Sequence, residues 1–415
     1  MTRQKTASSV GRFDRGGRVA YGAHHAEDRI MKMLNQSSQM PGRGAVCPDV
    51  SLRFPFVRPR LPALDEVERE FARSRQSNFY SNFGPASLHF ERLLEVAFFP
   101  GLSAVACANC TVGLSAALIA LRVEGPVLYP AFTFPATASA IRGAGLKAVI
   151  GDVDPVTGVL DPQMADDLIV RHGVGAVIAV RPYGIWSDLN ALGEVCRRHG
   201  VPLIIDNAAG IGVDRSVVER FSVSGALELF SLHATKPFGV GEGGVALVPP
   251  AHQHNVRSAL NFGLWSLGDL QPGDGLNGKM DELTASMAIA VFHRLAPRLR
   301  DRREMAARYN VLAHAAGLET FVALGDEELS PWQCFALRLP EGRDVEHVVR
   351  LCRESGLLVR RYYYPTVALG LGGESVPNAR ALSARALCLP VYDGEDAAGV
   401  DDIWRIFTAA LAAAS

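Results

Sequence analysis

The chain has 415 residues, 48% of them hydrophobic and 20% charged, enough to bury a large core and to divide into at least two domains. A formal net charge of −1 leaves no overall basic field for nucleic acid or an anionic membrane surface. No apolar run approaches the roughly 20 residues of a membrane span and the N-terminus lacks an apolar secretory core, so a cytoplasmic protein of small-molecule chemistry is expected.

Residues 1–45 are rich in Arg, Ser, Gly and Gln and show no helix or strand period. They are read as a disordered extension, or as sequence ahead of a true start at Met31, Met33 or Met40. Organised structure begins near Pro59, where a proline-rich arm leads into a capped helix and then, through SNFGP, into an amphipathic helix offering Leu88, Phe90, Leu93 and Leu94. The expected division is a large domain over 46–255 with this N-terminal arm, then a linking helix and a smaller α+β domain over 256–415.

From Ala104 to about Pro250 short apolar runs alternate with helical segments. VLYP (127–130), AVIGDVD (148–154), AVIAVRPYG (176–184), VPLIIDNA (201–208), LELFSL (227–232) and GGVALVP (243–249) show almost no inward/outward alternation. Runs of that kind belong to a mostly parallel sheet covered by helices on both faces. The fold class is therefore α/β. In such sheets ligands lie beyond the carboxyl ends of the strands.

Four features fall at those ends. ANCTVGLSAAL turns into a helix whose first backbone N–H groups, at Cys110, Thr111 and Val112, can meet an anion, with the Thr111 hydroxyl as a further donor; an ordinary N-cap is the alternative. Phe134 follows the next strand and offers a flat ring, either to a planar ligand or to the core. Asp206 ends a wholly apolar strand, so its carboxylate needs a cationic or hydrogen-bonding partner, a helix cap being the simpler use. Lys236 lies in ELFSLHATKPFGVGEGG (228–244), among small and hydroxylic residues, where burial lowers the amine pKa as a Schiff-base lysine requires. An anion cradle, a ring cover, a carboxylate and an amine together complement pyridoxal 5′-phosphate. The seven cysteines are scattered and fit reduced thiols. Cys107 and Cys110 form a CxxC with no second pair at zinc spacing, and no metal is assigned.

Beyond the sheet, GLNGKM opens a long helical stretch. WQCFALRLP, DVEHVVRLCRESG and LLVRRYYYP then read as strand, helix and strand. In the last of these, Arg360, Arg361 and Tyr362 to Tyr364 could contact a diphosphate and a sugar or base, or form a strand with one face in the core.

From Pro59 onward the chain resembles the DegT/DnrJ/EryC1/StrS family of fold-type I, pyridoxal-phosphate-dependent sugar aminotransferases. The resemblance rests on SNFGP (81–85), NCTVGLSAAL (109–118), YPAFTFPATASAI (129–141), GDVDPVTGVLDP (151–162), RPYGIWSDL (181–189), IIDNAAG (204–210) and FSLHATKPFGVGEGG (230–244), in that order. It implies Lys236 and Asp206 as catalytic residues, and Asn109, Cys110, Thr111, Phe134, Ser231 and Asn261 beside them as cofactor-binding ones. Thr111 and Ser231 would take the phosphate, and Asn261 would serve the site of a partner subunit in a homodimer. Asn277, Lys279, Arg361, Tyr362 and Tyr363 would be the substrate side. The implied reaction transfers an amino group, from glutamate by analogy, to a keto group of a nucleotide-linked deoxysugar. A cyclitol ketone is the alternative acceptor, and a non-catalytic binder of pyridoxal phosphate is the alternative class. One departure is Ala209, where the family usually carries Gln or His near the cofactor's ring hydroxyl.

Overall fold

The computed structural model describes residues 52–264, 271–368, 375–394 and 397–414; the expected extension over 1–45 lies outside them. Among the described residues two helices come first, α1 (Leu64–Ser77) and α2 (Pro85–Ala97). A seven-stranded sheet then forms from β1 (Ser103–Cys107), β2 (Val127–Pro130), β3 (Ala148–Gly151), β4 (Ala176–Val180), β5 (Leu203–Asp206), β6 (Leu227–Ser231) and β7 (Gly244–Val248). Its spatial order is β1-β7-β6-β5-β4-β2-β3, with β7 antiparallel to both neighbours and the remaining pairs parallel.

Strands β4, β5 and β6 are buried at every position, because helices cover both faces and leave no polar side to alternate with. The covering helices include α3 (Cys110–Ala120), α4 (Pro135–Gly143), α5 (Pro162–His172), α6 (Asn190–His199), α7 (Arg215–Phe221) and α8 (Pro250–Ala259). Two of the starts are pinned by side chains: Asn109 caps α3 at Val112 N, and Asp161 caps α5 at Met164 N. Six of the seven strands end at the same edge of the sheet, and β7 runs the other way and begins there.

The linking stretch is two helices rather than one, α9 (Glu282–Phe292) and α10 (Leu295–Ala315). At the start of α9 the buried Glu282 carboxylate accepts from Ser74 Oγ, Ser87 Oγ and the backbone N–H groups of Ala86 and Ser87, tying α1 and α2 to it. A second, antiparallel sheet has the order β10-β9-β8, from β8 (Glu319–Thr320), β9 (Cys334–Arg338) and β10 (Ala386–Pro390). Helices α11 (Val345–Glu354), α12 (Pro377–Arg385) and α13 (Ala397–Ala413) accompany it.

One sequence expectation is corrected. LLVRRYYYP makes no continuous strand; it touches neighbours through the isolated bridges Phe54↔Leu357 and Arg360↔Cys388. The edge that β9 offers is taken instead by β10, a short run of small and apolar residues. The sequence reading also passed over β1, another five-residue run rich in alanine.

Candidate active site

A cavity of about 690 Å³ opens at the carboxyl ends of the first sheet. Lys236, Asp206, Ser231, Asn109, Cys110, Thr111 and Phe134 all line it, and Gln333, Arg360, Tyr362 and Tyr363 enter from the side of the second sheet.

Asp206 closes β5 and is 6% exposed. Thr137 Oγ1 donates to its Oδ2 at 2.8 Å, and the backbone N–H of Ala208 donates to Oδ1 at 3.2 Å. Burial pushes this carboxyl above its usual range, while the Thr137 donor and the nearby Lys236 charge pull it down. Thr137 and its hydroxyl neighbour Thr133, 2.8 Å away, were missed in the sequence reading. Their signal was present, since FTFPAT places both at the turn from β2 into α4.

Lys236 follows β6 through a tight turn in which its N–H donates to His233 O at 2.8 Å. Its Nζ donates to Gln333 Oε1 at 3.1 Å. Burial lowers the pKa of the amine, opposed chiefly by Asp206. An amine in that state has a larger share of its free-base form at neutral pH, which is what nucleophilic attack on a carbonyl needs.

The anion cradle is smaller than the sequence suggests. Asn109 Oδ1 accepts the Val112 N–H at 2.9 Å, so that donor is spent on the cap. The Cys110 and Thr111 N–H groups, in the first turn, have no intrahelical partner, and their residues line the cavity with the Ser231 and Thr111 hydroxyls. This helix start sits directly on the sheet: a Cβ at Gly244 would lie 2.6 Å from Asn109 C and Cys110 N, so β7 must begin with glycine.

Phe134 is 55% exposed at the cavity wall, an uncommon place for a core phenylalanine. On the far side the Tyr183 and Tyr363 rings stack at 5.6 Å, and Tyr183 Oη donates to Tyr362 O at 2.6 Å. Gly184 next to them holds φ +79°, and a Cβ there would meet Ala209 C and O at 2.5 Å. Ala209 itself lines the cavity and presents a methyl group only.

The substrate-side expectations divide. Arg361 does not line this cavity: its guanidinium is engaged by Glu346 and the Ser383 and Ala384 carbonyls, and lies over the Tyr364 ring. The neighbouring Arg360 is the arginine that does, donating to Tyr362 Oη at 2.6 Å. Asn261, Asn277 and Lys279 do not line it either. Asn261 and Asn277 form an isolated bridge, and Lys279 Nζ donates to Asn277 Oδ1 at 2.8 Å.

The donor set suits a flat, phosphorylated pyridine aldehyde: two helix N–H groups and hydroxyls for the anion, a buried carboxylate for a cationic ring nitrogen, an exposed ring for its face and an amine for its carbonyl. The DegT/DnrJ/EryC1/StrS aminotransferase family model matches residues 64–408. The chain is 30% identical over 377 residues to protein Rv3402c of Mycobacterium tuberculosis, covering 86% of this chain and 89% of that protein. It is 28% identical to the dTDP-4-amino-4,6-dideoxy-D-glucose transaminase of Shigella dysenteriae, covering 81% and 93%. The crystal structure of DesI in the presence of its TDP-sugar product superimposes with a TM-score of 0.77 at 28% identity, over 89% of this chain and 95% of that one. More distant neighbours of the same fold were crystallised in pyridoxal-phosphate and pyridoxamine-phosphate forms. The chain belongs to the DegT/DnrJ/EryC1/StrS aminotransferase family.

Proposed function

We propose that this protein is a pyridoxal-phosphate-dependent aminotransferase moving an amino group from glutamate to a keto carbon of a nucleotide-linked deoxysugar. The observation that carries the reading is the convergence of Lys236 Nζ and the Asp206 carboxylate on one cavity, beside the first turn of α3. The family supports the reaction class, and the nucleotide-sugar relatives support the acceptor.

When bound, pyridoxal phosphate supplies the electrophilic carbonyl and the electron-accepting protonated ring. Cys110 N–H, Thr111 N–H and the Thr111 and Ser231 hydroxyls would hold its phosphate. Asp206 would keep the proton on its ring nitrogen, through a charge-assisted bond of about 1.5–3 kcal/mol. Phe134 would cover one ring face, and Lys236 Nζ would hold the carbonyl carbon covalently. Freed by the donor's amine, Lys236 Nζ would act as general base toward the donor α-carbon and then as general acid, returning the proton to the former carbonyl carbon on the other side of the shared nitrogen. Arg360, with Tyr362 and Tyr363, stands where an anionic or hydroxylated part of the substrate enters.

The purified protein should show a violet absorption band that bleaches on adding glutamate, and initial rates with a keto-sugar nucleotide should give parallel lines. Lys236→Ala should lose the covalent adduct and at least about 100-fold in kcat. Intersecting lines would sink the two-stage scheme, and turnover of a cyclitol ketone in place of sugar nucleotides would overturn the acceptor.

A further inference from the structure

Gln333 has no part in the reading above, yet among the described residues it is the one whose side chain accepts a hydrogen bond from the reactive amine. It sits 97 residues beyond Lys236, one position before β9, and is 6% exposed. The residue before it, Trp332, is buried and holds φ +59°, a left-handed conformation that costs a bulky residue about 1–3 kcal/mol. That conformation is locked on several sides. Ser330 Oγ accepts the Trp332 N–H at 3.0 Å, Glu327 O accepts the indole N–H at 2.8 Å, and Arg302 Nη1 donates to Trp332 O at 2.9 Å. A strained, over-determined residue immediately before Gln333 fixes where its amide points.

The cavity's other amide, on Asn109, is committed to capping α3, and Ala209 brings only a methyl. We infer that Gln333 is a positioning residue for Lys236: its Oε1 holds Nζ at a fixed place whenever the amine is free and favours the amine's charged form. An amide oxygen can only accept, so it bonds to an N–H of either form but more strongly to the ammonium. Held there, the amine keeps one orientation from the second sheet's side of the cavity instead of sampling the lysine's rotamers.

The inference rests on Lys236 being the reactive lysine, and its test uses the protein without cofactor. Gln333→Met and Gln333→Glu both keep the side-chain length. Acetylation of Lys236 by acetic anhydride is followed against pH by peptide mass spectrometry, with Lys147 in the same digest as the internal reference. Gln333→Met should move the Lys236 inflection to lower pH, since the acceptor is lost while burial remains. Gln333→Glu should move it up by about one to three pH units, as an opposite charge does at contact distance. Thermal melting identifies a variant that fails to fold, and Gln333→Ala or Gln333→Asp is then read in place of Met or Glu. Any result other than opposite shifts overturns the proposal; two shifts in one direction would mean a packing effect. Reduction of the pyridoxal-phosphate-loaded parent with borohydride separates the two readings. Capture at Lys236 with unmoved inflections refutes the role of Gln333 alone, and absence of capture at Lys236 refutes the lysine assignment beneath it.

Discussion

Asp206 shows how one residue's chemistry depends on a neighbour that is easy to overlook. The carboxylate must stay ionised to keep a proton on a ring nitrogen, but burial favours its neutral form. The Thr137 hydroxyl, 2.8 Å from Oδ2, opposes that by donating to the anion. Thr137→Val removes the donor and keeps the shape, so the carboxyl pKa rises further. A hydrogen bond to a charged group is worth about 1.5–3 kcal/mol, hence about one to two pH units. The sign follows: the ionised form is now lost at a higher pH, so the acidic limb of the kcat/KM profile moves upward while the alkaline limb stays. Activity in Thr137→Val should fall most in mildly acidic buffer and recover as pH rises. A profile whose acidic limb coincides with the parent's would deny Thr137 this role.

At the scale of elements, the strand ends beneath the cavity are stapled by a buried ion pair. Arg181, just after β4, reaches across β5 to Glu228 on β6, Nε to Oε1 at 3.0 Å, and Asn207 Nδ2 donates to the same carboxylate at 2.8 Å. Arg181 also donates to the Ser187 and Phe221 carbonyls and lies over the Trp186 ring. Removing one partner of such a pair leaves an uncompensated buried charge and costs about 3–5 kcal/mol, whereas replacing both with apolar residues can be close to neutral. Glu228→Gln should therefore destabilise strongly in urea unfolding, and Arg181→Met with Glu228→Leu should recover much of the loss; equal losses in the two proteins would show that packing, not charge, sets the cost. The sheet was legible because β2 and β4 are apolar throughout and β5 and β6 are mostly so, with no polar alternation, as strands of a covered parallel sheet are. Strands β1 and β10 were not, since SAVAC and ALCLP carry few β-branched or aromatic side chains. LLVRRYYYP has the opposite character: its residues favour strand locally, but pairing is decided by what lies beside them in the fold.

Across the whole molecule, the two sheets contribute unlike parts of one cavity. Lys236, Asp206 and the helix start follow strands of the first sheet, so their positions were readable from strand ends; Arg360 was marked by its arginine and tyrosine run, whereas Gln333 arrives from beside the second sheet, where no local pattern marks it. The same reasoning bears on Asn261, Asn277 and Lys279, which lie outside the cavity of their own chain. Their loop exposes Phe262 and Leu264, with Lys279 Nζ 4.4 Å from the Phe262 ring centroid. Exposed aromatic and aliphatic groups beside polar ones suit a surface covered by a second copy. If that copy's cavity receives Asn261, then a Lys236→Ala protein and an Asn261→Ala protein are defective in different halves of a shared site. In a mixed dimer one cavity carries both defects and the other carries neither. Random reassociation of equal amounts makes half of the dimers mixed, so about one quarter of the parent activity should return from two inactive proteins. The measurement is activity after co-refolding, with each variant refolded alone as reference. Recovery places Asn261 in the partner's site; no recovery, with mixed dimers demonstrated by a size-shifted tag, places it in its own chain's site, and full activity of Asn261→Ala refolded alone places it outside catalysis.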